Sequence, residues 1–126
     1  MALTFVRQLL RCMLNHYILN MKNPSTYNFK ELKNAFETFC DYAKMSIVSD
    51  AHYMFSSDTS ANTGVLVLAT SHFAWHTFPE HDYISIQYST CSEDNLSEDQ
   101  VKSLLELSFK NNNIKFGEIL CCKVIF

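Results

Sequence analysis

Three side chains in the middle of this 126-residue chain carry groups suited to covalent or acid–base chemistry: the hydroxyl of Ser71, the imidazole of His76 and the thiol of Cys91. Ser71 closes the apolar run Gly64–Ala69 with Thr70 between, and Thr-Phe-Pro-Glu follows His76 directly. A free thiol titrates near pH ~8.5, so Cys91 is mostly protonated at neutrality and can act as an acid. His72 and His76 stand four apart on a presumed strand and share a face, which would suit two metal ligands. No third ligand has convincing spacing, so no metal site is expected. Cys121 and Cys122 are adjacent, so a strand points them to opposite faces and they cannot chelate together. Taken singly, each candidate has an ordinary reading. Ser71 would be a strand-end serine, Cys91 a small buried apolar residue, and Phe55 and Phe78 core aromatics. Only their joint pattern suggests a site.

The elements that would position these residues follow from periodicity. His16–Met21 reads as a first strand. Phe29, Leu32, Ala35, Phe36, Phe39, Tyr42 and Ala43 recur at spacings of three and four, which predicts a helix over Asn28–Met45 with one buried stripe. Ser46–Phe55 reads as a second strand and Ser56–Asn62 as a polar loop. Gly64–Ala69 reads as a central strand, and His72–Phe78 and Tyr83–Tyr88 as two more. Ser97 with Gln100 forms a capping-box pattern ahead of Val101, Leu104, Leu105, Leu107 and Phe109, so a second helix starts there. Ile114–Phe126 supplies one or two closing strands. The order β-α-β-β-β-β-α-β favours an α+β two-layer sandwich, an antiparallel sheet with helices on one face.

Ser71 and His76 are an odd number of residues apart, so one straight strand would put them on opposite faces. Either a bend or a bulge lies between them, or Ser71 ends one strand before the next begins. The second suits a strained, accessible peptide bond.

Bulk properties narrow the class. At 48% apolar residues the chain can fill one compact core, and a single domain over 15–126 is expected. Residues 1–14 carry Arg7 and Arg11 and no acid. They read as an N-terminal extension, with a short amphipathic helix or leader as the alternatives. The net charge is −3 and no two basic residues are adjacent, which argues against nucleic acid as a partner. No apolar run approaches the ~18–20 residues of a membrane span. Five cysteines, an odd count without a C-x-x-C pair or secretory signal, fit a reducing, cytoplasmic setting.

The stretch Thr63-Gly64-Val65-Leu66-Val67-Leu68-Ala69-Thr70-Ser71-His72-Phe73-Ala74-Trp75-His76-Thr77-Phe78-Pro79-Glu80, followed by Thr90-Cys91, resembles the prokaryotic-type, pyruvoyl-dependent S-adenosylmethionine decarboxylases. Their hallmark is a Gly-led strand, a Ser-His pair, a His-Thr/Ser-aromatic-Pro-Glu stretch and a Thr-Cys after the next strand. The match runs ungapped from Thr63 to Cys91, with looser similarity from about His16. The resemblance implies a proenzyme that cleaves itself between Thr70 and Ser71, leaving a covalent pyruvoyl group made from Ser71 as the cofactor. It implies processing roles for His76 and the Thr63 hydroxyl. It also implies a Schiff base between the substrate amine and the pyruvoyl, and Cys91 as the acid that protonates the substrate carbon. Phe78 and Phe55 match aromatics that hold the adenosyl group, and Glu80 matches a carboxylate that pairs with ribose. A homodimer, with residues of both protomers lining the site, and a place in spermidine and other polyamine biosynthesis are implied as well.

The sequence departs from the family at Thr70, normally Glu; at Ser92, normally Gly; and at Thr63, usually Ser. Two alternatives stand beside the leading reading. One is a pyruvoyl enzyme acting on ornithine or arginine. The other is a non-processing homologue with a binding or regulatory role.

Overall fold

A computed structural model describes residues 15–55, 58–90 and 96–124. The expected element order is found. Strand β1 (Asn15–Lys22) precedes helix α1 (Phe29–Tyr42). Strands β2 (Ile47–Phe55), β3 (Asp58–Leu68), β4 (Ser71–Phe78) and β5 (Tyr83–Thr90) follow, with a 3-10 turn at Pro79–His81 before β5. Helix α2 (Glu98–Asn111) and strand β6 (Glu118–Val124) complete the described chain. The strands form one six-stranded sheet in the order β2-β3-β4-β5-β1-β6. Every pairing is antiparallel. Among the described residues no helix is long and apolar enough to cross a membrane.

Both helices start where local chemistry satisfies their first amides. The Asn28 side chain accepts from the Lys30 and Glu31 amides at 3.0 and 3.2 Å. Ser97 and Gln100 close the capping box in both directions, at 3.2 and 2.8 Å. Helix α1 ends at Tyr42, three residues before the sequence suggested. Ala43 caps it and Lys44 turns left-handed at φ 59°. Leu107 faces solvent, because 100° per residue carries it away from the buried stripe of Val101, Leu105 and Phe109.

Alternation sorts the sheet into two faces. Tyr17, Leu19, Met21, Leu66, Phe73, Trp75, Ile84, Ile86, Tyr88 and Ile119 point towards the helices and are buried with Leu32, Phe36, Phe39 and Phe109. The Phe36 ring centroid lies 4.8 Å from those of both Phe73 and Trp75, and Phe39 meets Tyr88 edge-on at 5.1 Å. Each fully buried ring or aliphatic side chain here contributes about 1.5–3 kcal/mol. Gly64 is required at one point of this packing: a Cβ there would collide with the Trp75 indole directly across from it.

The segment read as a polar loop, Ser56–Asn62, is corrected. Strand β3 begins at Asp58; residues 56–57 lie outside the described chain. The polar residues are strand residues because a network satisfies them internally. Asn62 donates to the Tyr27 carbonyl at 2.8 Å and accepts from the Trp75 indole at 2.9 Å. Its amide donates to the Thr77 hydroxyl at 2.9 Å. A polar composition thus marked a buried hydrogen-bond network rather than a solvated turn.

Candidate active site

The candidate residues lie along β4 and its neighbours. Leu68 and Ser71 are register partners, so Ala69 and Thr70 form a two-residue connection between β3 and β4. Both are exposed. Ser71 therefore opens β4, and the expectation that it ends a separate strand is corrected. The β3–β4 register runs without a shift from Leu68↔Ser71 to Thr63↔His76, so no bulge separates Ser71 from His76 either. The two share one straight strand and occupy opposite faces. Five residues of strand put their Cα atoms about 16 Å apart, and seven put Ser71 about 23 Å from Phe78.

The Ser71 side chain points to the helix-facing side, with Phe73 and Trp75. Its Oγ is buried and has no hydrogen-bond partner. A buried hydroxyl without a partner carries an unrecovered desolvation cost. That fits a group that is consumed in a reaction rather than one that holds the fold: no bond need break before it swings to the Thr70 carbonyl beside it. These residues thus fit a pyruvoyl group formed at position 71. On the same side, burial pushes the Tyr88 phenol up to about 12. Burial, with a smaller push from Glu37, likewise raises the Cys40 thiol to about 12. Both stay protonated near neutrality, so neither serves Ser71 as a base.

The opposite, open face carries the acid–base groups. Thr63 and His76 face each other across the β3–β4 ladder, with Oγ1 2.8 Å from Nδ1. The structure brings these two together and separates them from Ser71. Phe78 ends β4 and stacks on Tyr83, centroids 4.8 Å apart and planes 18° from parallel. Glu80 is exposed in the 3-10 turn that follows. Phe55 ends β2, two strands away, 57% exposed and edge-on to Tyr53 at 5.0 Å. Cys91 lies outside the described residues; β5 leads to it and ends at Thr90.

Two aromatics escaped the sequence reading. Tyr83 backs Phe78, and Tyr53 lies in register with Thr63, extending the Thr63–His76 row to the sheet edge. Strand pairing, not spacing along the chain, reveals both.

Among the described residues, the open face has no helix layer. From the His76 row towards the Ser71 end, its described positions on β1, β3, β4, β5 and β6 are His16, Ile18, Asn20, Thr63, Val65, Val67, His72, Ala74, His76, Ser85, Gln87, Ser89, Leu120, Cys122 and Val124. No carboxylate, Lys or Arg occurs among them. Ile18, Val67 and Leu120 are 40–45% exposed there.

The family model for S-adenosylmethionine decarboxylase matches residues 15–120. A protein of Pyrococcus horikoshii named S-adenosylmethionine decarboxylase proenzyme is 29% identical over 106 residues, which span 83% of this chain and 76% of that protein. Proteins of the same name from Sulfurihydrogenibium and Aquifex aeolicus are 36% and 31% identical over 62 and 64 residues. Those matches span about half of this chain and 45% and 46% of theirs. With the family model covering all but the two ends of the chain, this protein belongs to the S-adenosylmethionine decarboxylase family.

Proposed function

We propose that the protein cuts its own chain between Thr70 and Ser71 and then decarboxylates S-adenosylmethionine. We further propose that it works as a homodimer whose sites each combine Ser71 of one protomer with His76 and Thr63 of the other. The unbroken register of β4 carries this reading. Eight bonds of about 1.5 Å separate the substrate amine from its ribose hydroxyls, so its reach is at most ~12 Å. A single protomer separates Ser71 from Phe78 by about twice that. A two-fold packing of the open faces would bring the Ser71 end of one sheet against the His76–Glu80 end of the other. Among the described positions from the His76 row to the Ser71 end, the absence of formal charge supports burial of that part of the face between protomers.

In processing, the Ser71 Oγ first turns from the helix-facing side to the hairpin end; it then attacks the Thr70 carbonyl carbon, forming a C–O bond as the amide C–N bond breaks. His76 of the other protomer, held by Thr63, takes the hydroxyl proton and returns it to the amide nitrogen. Loss of the Ser71 Cα proton then breaks the Cβ–O bond and frees residues 1–70 with a new carboxylate. Water finally displaces the nitrogen of residue 71 as ammonia. The resulting pyruvoyl group supplies an electron sink for the pair left when CO2 departs. The side chains do the rest. Phe78, backed by Tyr83, and Phe55 hold the adenine and the sulfonium charge against aromatic faces. Glu80 accepts hydrogen bonds from the ribose hydroxyls. Cys91 donates the proton that replaces CO2 on the substrate carbon. The product carries the aminopropyl group that spermidine synthesis uses.

Intact mass and CO2 release test the reading together. It requires two fragments divided between Thr70 and Ser71, and CO2 from S-adenosylmethionine. A single intact chain, or release only from ornithine or arginine, sinks it.

A further inference from the structure

The segment that leads from β1 into helix α1 passes the end of the sheet beside the turn that carries Glu80. Three contacts fix its course. The Asn23 amide donates to the Asp82 carbonyl at 2.8 Å. The Tyr27 carbonyl accepts from the Asn62 side chain, and the Asn62 amide donates to the hydroxyl of Thr77, three residues before Glu80. Phe29 stacks on Trp75, ring centroids 6.1 Å apart. Tyr27 is thus held against the end of β4, between the Asp82 contact and the Trp75 contact. Its phenol oxygen is buried and has no hydrogen-bond partner. Burial, and then the Asp82 and Glu80 carboxylates of the turn, push the phenol above its ordinary 10.0. It keeps its proton near neutrality and is available as a donor. Glu80, by contrast, is exposed.

We propose that Tyr27 is a positioning residue for substrate recognition: its phenol donates to the Glu80 carboxylate and holds it towards the ribose hydroxyls. This rests on the decarboxylase reading above, in which Glu80 accepts from the ribose, and names the group that aims that carboxylate. An exposed glutamate samples many rotamers and must give up that freedom when it binds a ligand. A donor fixed beside the turn selects among them. The single O–H engages one acceptor position of the carboxylate and leaves the others for the ribose diol. The bond also accounts for the unpaired phenol of the free chain. When the substrate draws Glu80 in, the buried hydroxyl gains an acceptor, and its desolvation cost is recovered on binding. Tyr27 and Glu80 belong to one protomer, so the contact does not depend on how two protomers pack.

Calorimetric binding to the uncleaved Ser71→Ala protein tests this without relying on turnover. Two ligands are compared: S-adenosylmethionine and its 2′,3′-dideoxyribose analogue, which lacks only the ribose hydroxyls. Tyr27→Phe should weaken S-adenosylmethionine about tenfold, as expected for a donor to a charged group, and leave the analogue unchanged. The variant removes a hydroxyl that has no partner in the free chain, so its thermal midpoint should stay level or rise. A purely structural role for the phenol predicts no such split between the ligands. With Glu80→Ala already in place, Tyr27→Phe should add no further loss; with Asp82→Asn in place, the tenfold loss should persist. Equal losses for both ligands, none for either, or a loss that survives Glu80→Ala overturns the proposal while leaving the decarboxylase reading intact. Disappearance of the loss in the Asp82→Asn protein also overturns it, since the phenol would then serve Asp82. Failure of S-adenosylmethionine to bind the Ser71→Ala protein overturns the decarboxylase reading and this proposal with it.

Discussion

The separation of Ser71 from His76 makes a strong demand on mixed dimers. Alone, a Ser71→Ala chain lacks the nucleophile and a His76→Ala chain lacks the proton carrier, so neither should cleave. In one protomer the two Cα atoms are about 16 Å apart on opposite faces of β4, beyond the reach of an imidazole. In a mixed dimer, the His76→Ala chain contributes an intact Ser71 and the Ser71→Ala chain an intact His76, which together make one complete site. Only the His76→Ala chain can then be cut. Random exchange of equal amounts places about half of the His76→Ala chains in mixed dimers, so about half of them should cleave. Differently tagged chains, co-expressed or unfolded and refolded together, resolve this on a denaturing gel, and tag pull-down confirms that mixed dimers formed. Cleavage of the His76→Ala chain alone, or none in confirmed mixed dimers, would refute the shared site.

Four further outcomes follow from the packing and the charges. Gly64→Ala forces a methyl group into the Trp75 ring and should cost about 1–3 kcal/mol, lowering the thermal midpoint by roughly 5–15 °C. Ser97→Ala removes the capping box of α2 and should cost about 1 kcal/mol in urea unfolding. The Lys33 ammonium, 2.9 Å from Asp50, holds the Asp50 carboxyl below its ordinary 3.8. A depressed acid stabilises the fold above its unfolded value and loses that contribution as pH falls through the folded one. Asp50→Asn should therefore lower stability slightly at neutral pH, leave it little changed once pH has fallen below the folded value, and so flatten the acid limb of the stability profile. In native protein at pH 8, Cys40, pushed up to about 12 by burial, should resist alkylation and react only after unfolding; mass mapping of the adducts checks this.

Much of the fold was legible along the chain because it is written in local periods. The three-and-four spacing of Leu32, Ala35, Phe36 and Phe39 defines a helix wherever it packs, and the Ser97–Gln100 box marks a helix start by itself. Asp58–Asn62 was misread because the partners that satisfy Asn62 are Tyr27, Trp75 and Thr77, all distant in sequence. Helix α1 ended early because its last turn is decided by a left-handed residue, Lys44, that no side-chain pattern announces.

By itself, the sequence determined which chemistry is available. The order Thr63, Ser71, His76, Glu80, Cys91 and the residue types at those positions pointed to one family before any coordinate. Tertiary structure decided where the groups stand. Spacing of five along a chain permits contact in a helix, a bulge or a turn, and excludes it in a straight strand. Only the continuous Leu68–Ser71 to Thr63–His76 ladder chose the strand. That choice left Ser71 facing the helices and His76 facing the open side. Cross-strand partners such as Thr63 for His76, Tyr83 for Phe78 and Ser89 for His16 are set by sheet register, which residues far apart in sequence create only when the chain folds.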